Sequence, residues 1–152
     1  MMRDNVSIRT ALSAERSTLE ALQWRASLGN PNDRDALLAN PDAIELPLEQ
    51  ITAGHVFVAE SAGAIVGFAT VVPRQDGGAE LDALFVEPHF WNRGIGRSLV
   101  DHCAEIARSR ESGFLHVIGN PHAEGFYEAC GFRLMGTVET RFGVGLSMRR
   151  AL

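Results

Sequence analysis

Leu84-Phe85-Val86-Glu87-Pro88-His89-Phe90-Trp91-Asn92-Arg93-Gly94-Ile95-Gly96-Arg97-Ser98 runs from an apolar, β-favouring segment through a proline stop into a glycine-containing loop. Beyond it, Ile95, Leu99, Cys103, Ile106 and Ala107 recur at helical spacing. The reading is a strand closed by Pro88, a loop, and a helix from Gly94 to about Arg110. At such a junction the N–H groups of the first helical turn have no intrahelical acceptor and sit at the positive end of the helix dipole, so they can converge on a phosphate. Glycines at 94 and 96 let a bulky anion approach the backbone, and Arg93 and Arg97 add charge-assisted donors. The plain alternative is a glycine turn with two solvated arginines. Two other phosphate motifs do not fit: a dinucleotide fingerprint needs a third glycine where Leu99 stands, and a P-loop needs Gly-Lys-Ser/Thr where the chain has Gly96-Arg97-Ser98.

Upstream of this stretch the texture is β. His55 to Glu60, Ala64 to Pro73 and Ala79 to Val86 read as a three-stranded meander, turning at Ser61-Ala62-Gly63 and around Asp76-Gly77-Gly78. Val6 to Thr10 alternates as a first strand, and Ser13 is the expected N-cap of a helix to Leu28 that Gly29-Asn30-Pro31 stops. Further helices are expected over Asp33 to Asn40 and over Asp42 to Thr52, with Pro41 and Pro47 interrupting. Downstream, Phe114 to Ile118 suits a buried strand, Ala123 to Cys130 a short helix ended by Gly131, and Phe132 to Thr140 and Val144 to Arg149 two last strands.

Composition narrows the function. A chain of 152 residues, 45% hydrophobic and 22% charged, fits one globular domain over 1–152, with no repeat. A formal net charge of −5 argues against nucleic acid as a partner, because phosphate neutralisation needs a basic face. No apolar run is long enough for a bilayer, and Met1-Met2-Arg3-Asp4 leads into polar sequence, so a cytoplasmic protein without a membrane partner is expected. Cys103 and Cys130 have no CxxC partner, and with His102, His116 and His122 they make no zinc spacing, so no metal is expected.

A second cluster is Asn120-Pro-His-Ala123-Glu-Gly-Phe126-Tyr127-Glu128-Ala-Cys130-Gly131-Phe132, where Ala123, Phe126, Tyr127 and Cys130 share one helix side. In this order the two clusters resemble the GCN5-related N-acetyltransferase (GNAT) family. The first is similar to its Q/R-x-x-G-x-G/A acyl-CoA signature at Gly94 and Gly96, and the second to N-x-x-A-x-x-F-Y-E-x-x-G-F at Asn120, Ala123, Phe126, Tyr127, Glu128, Gly131 and Phe132. Trp91 stands where the family often carries Gln or Arg, which removes that side chain's polar contact.

The resemblance implies an α/β (α+β) acyl-CoA N-acyltransferase fold: a mixed sheet of six to seven strands flanked by about four helices, splayed between the strand ending at Val86 and the one ending at Ile118. It implies acetyl-CoA as cosubstrate, with pantetheine along Phe85 and Val86, pyrophosphate on Arg93, Gly94, Ile95, Gly96, Arg97 and Ser98, and further cofactor contacts at Asn120, Ala123 and Phe126. Acetyl passes to a primary amine of a small molecule or peptide by direct attack in a ternary complex. An amine with a pKa of about 10 must first lose a proton. Glu80 and Asp82 alternate on the strand leading to the cofactor gap and so share one face, and the resemblance implies Glu80, or alternatively Asp82, as the base; the plain alternative is two solvated acids on a sheet edge. Tyr127 matches the family's proton donor to the leaving thiolate. Trp24, Arg25 and Trp91 are candidate acceptor contacts, with His89, Glu139, Arg141 and Phe142 further polar or aromatic residues of that side. The rival from another class is a non-catalytic acyl-CoA-binding sensor or assembly module, which could dispense with Glu80 and Tyr127. Val144 to Met148 could pair two copies into a homodimer or pack internally.

Overall fold

The computed structural model describes residues 6–152. Seven strands form one sheet: β1 Val6–Thr10, β2 Val56–Ser61, β3 Ala64–Pro73, β4 Ala79–Val86, β5 Phe114–Gly119, β6 Arg133–Thr140 and β7 Gly143–Ala151. Their order is β1-β2-β3-β4-β5-β7-β6. The helices are α1 Arg16–Leu28, α2 Pro31–Ala39, α3 Leu48–Thr52, α4 Ile95–Ser109 and α5 Glu124–Ala129. No helix among the described residues is long and apolar enough to cross a membrane. The chain forms two compact units, one holding the residues up to Thr70 with Ala83–Leu99, the other Val71–Asp82 with Val100–Leu152.

In the first unit, β1 pairs antiparallel with β2 from Val6↔Ser61 to Thr10↔Phe57, and β2 with β3 across an irregularity at Ala59/Glu60. α1 lays Leu19 and Leu22 on Ile51, Val56, Val58 and Phe68, and Ala83 and Phe85 pack against that cluster. Two expectations change here. Ser13 does not cap α1: Ser13–Glu15 is a 3-10 turn, and the Leu12 N–H donates to Glu15 Oε1 at 2.8 Å. Glu15 is held in turn by the Arg9 guanidinium at 2.6 and 3.0 Å, and that hydrogen bonding lowers its pKa. The helix expected from Asp42 begins only at Leu48. The backbone of Leu46 is already committed to α1, its N–H donating to Glu20 at 2.9 Å and its carbonyl accepting from Arg16 at 2.7 Å, and Pro47 then forms the N-cap.

In the second unit, β5 pairs in parallel with β4 at Ala79↔Leu115 and Glu80↔His116, and antiparallel with β7 from Phe114↔Ala151 to Gly119↔Leu146. β7 also pairs with β6, from Arg133↔Arg149 to Thr140↔Gly143. Leu146 to Met148 are thus paired on both sides, with β5 and β6, whereas Val144 and Gly145 pair with β6 alone and Val144 is exposed. Val100, Cys103, Ala104 and Ala107 of α4 are fully buried, as are Leu115 and Met148. Cys103 and Cys130 are both buried, and neither forms a disulfide among the described residues.

Candidate active site

The β4–α4 junction is built within the first unit. The first bond of α4 runs from the Ser98 N–H to the Gly94 carbonyl at 3.0 Å, which leaves the N–H groups of Ile95, Gly96 and Arg97 without helical acceptors. Asn92 and Gly94 take left-handed backbone, with φ of 62° and 83°. Glycine adopts this without strain, and asparagine tolerates it better than most residues. A Cβ built on Gly94 would meet nothing within 4 Å, so the space over the loop is open. The first turn of α4 carries no acidic side chain. Arg93, Arg97 and Ser98 are exposed, while the Ile95 side chain is buried and only its backbone faces the loop. These features fit a pyrophosphate.

Trp91 replaces the expected polar contact with another. Its indole Nε1–H donates to the Val86 carbonyl at 2.8 Å, tying the loop to the end of β4. The far edge of its ring would lie 3.0 Å from a Cβ on Gly29, so the glycine that ends α1 also seats the indole. Arg25 donates twice to Glu87, at 3.0 and 2.5 Å, and this pairing raises its pKa. Trp24 lies half-buried on the same helix. Of the three acceptor candidates, Arg25 and Trp91 thus hold the end of α1 to the β4–α4 segment. Phe85 and Val86 are partly buried, and Gly67 of β3 passes so near that a Cβ there would lie 3.1 Å from the Phe85 carbonyl.

The second unit carries the remaining residues. Tyr127 packs edge-on against Phe126 and Phe132, with ring centroids 5.1 and 5.5 Å away. Gly119 at the end of β5 makes room for it: a Cβ there would come within 2.9 Å of the tyrosine ring. Burial pushes the Tyr127 phenol up to about 12, with the nearby Cys130 adding to the effect. Asn120 and Ala123 bracket the 3-10 turn before α5, linked by the Ala123 N–H to the Asn120 carbonyl at 2.9 Å. Phe126 is exposed.

Glu80 is not an acid on a sheet edge. Its Oε1 accepts from Arg74 Nη1 at 2.5 Å and lies 2.7 Å from His116 Nδ1, while His116 Nε2 lies 2.7 Å from Ser147 Oγ. Arg74 Nη1 also lies 2.9 Å from His116 Nδ1, so Nδ1 can donate to Glu80 while Nε2 accepts from the Ser147 hydroxyl, or accept from Arg74 while Nε2 donates to Ser147. Arg74 is anchored by Asp76, whose hydrogen bonds are the main cause of its raised pKa, with Glu80 contributing further. Glu80 Oε2 has no protein partner among the described residues. Asp82 is exposed, two positions along the strand.

Arg74, His116 and Ser147 were missed as site residues, and the signal for one of them is present in the sequence: a histidine interrupts the apolar run Phe114-Leu115-His116-Val117-Ile118. Gly67 and Gly119 were missed as well, although an isolated glycine inside a strand often marks a close approach.

The fold is that of the acyl-CoA N-acyltransferases. It superposes on a GCN5-related N-acetyltransferase from Rhodopseudomonas palustris with a TM-score of 0.77 at 20% identity, covering 100% of this chain and 99% of that one. It also superposes on the PaiA N-acetyltransferase of Thermoplasma acidophilum in complex with coenzyme A, with a TM-score of 0.76 at 16% identity, covering 97% and 99%. The profile of the Acetyltransferase (GNAT) family matches residues 19–132, and the chain belongs to that family as an N-acetyltransferase. Among characterised proteins it is similar to the peptidyl-lysine N-acetyltransferase YjaB of Salmonella typhimurium, 28% identical over 135 residues and 88% of each chain.

Proposed function

We propose that residues 1–152 act as one acetyltransferase domain that uses acetyl-CoA to acetylate a primary amine by direct attack in a ternary complex. The observation that carries the cosubstrate is the open, left-handed Asn92–Gly94 loop at the start of α4, with three N–H groups behind it that have no helical acceptor. The diphosphate sits there, with Arg93, Arg97 and the Ser98 hydroxyl as side-chain donors, and pantetheine runs along Phe85 and Val86 as an added strand. Asn120, Ala123 and Phe126 complete the cofactor contacts. YjaB, named as a peptidyl-lysine enzyme, supports an amine on a lysine-like chain as acceptor.

Glu80 is the general base, acting through its unpartnered Oε2 directly or by way of water, while Arg74 and His116 hold Oε1. Asp82 is the alternative carboxylate. After attack, the backbone N–H of Val86 stabilises the oxyanion, and Tyr127 donates to the departing sulfur. A phenol raised to about 12 keeps its proton throughout the neutral range, so it is always present as a donor. The presence of Glu80 and Tyr127 in ordered, partnered settings favours the enzyme over an acyl-CoA-binding sensor or assembly module.

Thermal unfolding with acetyl-CoA, ATP or NAD tests the cosubstrate. At a hundred times its dissociation constant a ligand adds about 2.7 kcal/mol. A shift of several degrees with acetyl-CoA alone, lost in Gly94→Asp, is expected; no shift with acetyl-CoA in folded protein overturns the proposal. Thiol release with a panel of amines then separates the enzyme from a binding module.

A further inference from the structure

One row of side chains crosses four strands of the second unit. Glu80 of β4 is the register partner of His116 of β5, His116 of Arg149 of β7, and Arg149 of Arg133 of β6. Direct partners share a sheet face, so the row presents a carboxylate, an imidazole and two guanidiniums side by side. The carboxylate end is neutralised by Arg74. The other end is not neutralised: neither the Arg149 nor the Arg133 side chain has an ion pair or hydrogen bond among the described residues. The Arg149 guanidinium lies 3.7 Å from the centroid of the Phe114 ring, and its Nε–H is buried without an acceptor. Phe114 is seated in turn against Gly78, where any Cβ would overlap its ring at 2.3 Å.

Two like charges directly opposite each other in a sheet are destabilising, and a buried donor without an acceptor costs free energy. An anion with two oxygens lying on the pair relieves the like-charge repulsion. Stacking on Phe114 fixes the plane of the Arg149 fork, which suits a carboxylate approached edge-on. We propose that Arg149, with Arg133, binds a carboxylate of the acceptor, so that the preferred substrate is a primary amine carried several bonds from a carboxylate. Glu80 and Arg149 are two strand steps apart, about 10 Å between Cα atoms. That span suits a lysine-length acceptor whose amine addresses Glu80 while its carboxylate reaches Arg149. The inference rests on the proposed role of Glu80. The carboxylate is either the acceptor's own α-carboxylate or the side chain of an acidic residue beside a lysine in a peptide.

The experiment compares Nα-acetyl-lysine with Nα-acetyl-lysinamide, and the amidated peptide Gly-Lys-Asp with Gly-Lys-Asn, as acceptors and, by calorimetry, as ligands. In at least one pair the carboxylate member should be preferred about tenfold, through KM more than kcat, and Arg149→Gln should reduce that preference to about twofold or less. Which pair discriminates identifies the source of the carboxylate. Arg149→Lys, which keeps the charge but not the fork, should retain only part of the preference. Calorimetry needs no turnover: an Arg149-dependent carboxylate preference in binding without acetyl transfer would uphold the subsite and sink the catalytic reading. Equal affinity within both pairs for the wild-type protein, no binding of any probe, or a preference that survives Arg149→Gln in folded protein would overturn the proposal.

Discussion

Tyr127 holds its proton because the half-buried ring is packed against Phe126 and Phe132 and seated over Gly119, which leaves a phenolate poorly solvated. A role as donor to the leaving sulfur makes Tyr127→Phe lower turnover by about 10²-fold or more while acetyl-CoA affinity stays near wild type. Steady-state kinetics beside a binding titration check this, and unchanged turnover would remove Tyr127 from the chemistry. Gly119→Ala tests the seat and not the hydroxyl. The new methyl would lie 2.9 Å from the ring, so the ring must move by a few tenths of an ångström. Because small misplacements of a catalytic group are costly, kcat should fall measurably with the phenol still present. A Gly119→Ala enzyme with wild-type kcat would mean that the position of the ring is not critical.

At the scale of the element, the β4–α4 junction is held by Trp91. Trp91→Phe deletes one hydrogen bond to the Val86 carbonyl, worth about 1 kcal/mol, and should lower the melting temperature by about 2–4 °C. If the bond also fixes the loop, acetyl-CoA affinity should fall with it, whereas an effect on melting alone would confine Trp91 to stability. This junction was the most legible part of the sequence, because a proline stop, a glycine loop and a helical stripe all point the same way. Leu99, Cys103 and Ala107 of that stripe are indeed buried. The segment before α3 was illegible for the opposite reason. Its conformation is set by Arg16 and Glu20, which take the backbone groups of Leu46 from a distant part of the chain, and no local pattern carries that information. The site divides in the same way. Gly94 and Tyr127 stand in contiguous motifs, but the setting of Glu80 comes from Arg74, His116 and Ser147, which only strand pairing brings together.

At the scale of the whole molecule the basic residues are unusual: all 14 are arginines, and the chain has no lysine. It therefore has no lysine amine of its own to compete with an acceptor, and no lysine titrates in the alkaline range. What remains there is one tyrosine and two cysteines. Burial raises the Cys103 thiol from 9.0 to about 12, and it raises Tyr127 from 10.0 to about 12. In the unfolded chain both groups lose their protons near the ordinary values, while the folded chain keeps them. Between pH 9 and 12 the unfolded state therefore binds fewer protons, and stability must fall as pH rises. Below that window both states are protonated at these sites and the two groups add no slope. Each group contributes at most about 1.4 kcal/mol per pH unit where its two states differ fully. Urea midpoints measured from neutral pH to about 11 should hold level in this respect and then decline. Tyr127→Phe should make the decline shallower above pH 10, and Cys103→Ala should make it shallower from pH 9, alongside a pH-independent loss from the vacated core space. A wild-type profile as flat at high pH as at neutral pH would show that neither group is shielded from water in the folded protein. It would also remove the reason to regard Tyr127 as a donor whose proton is held by burial.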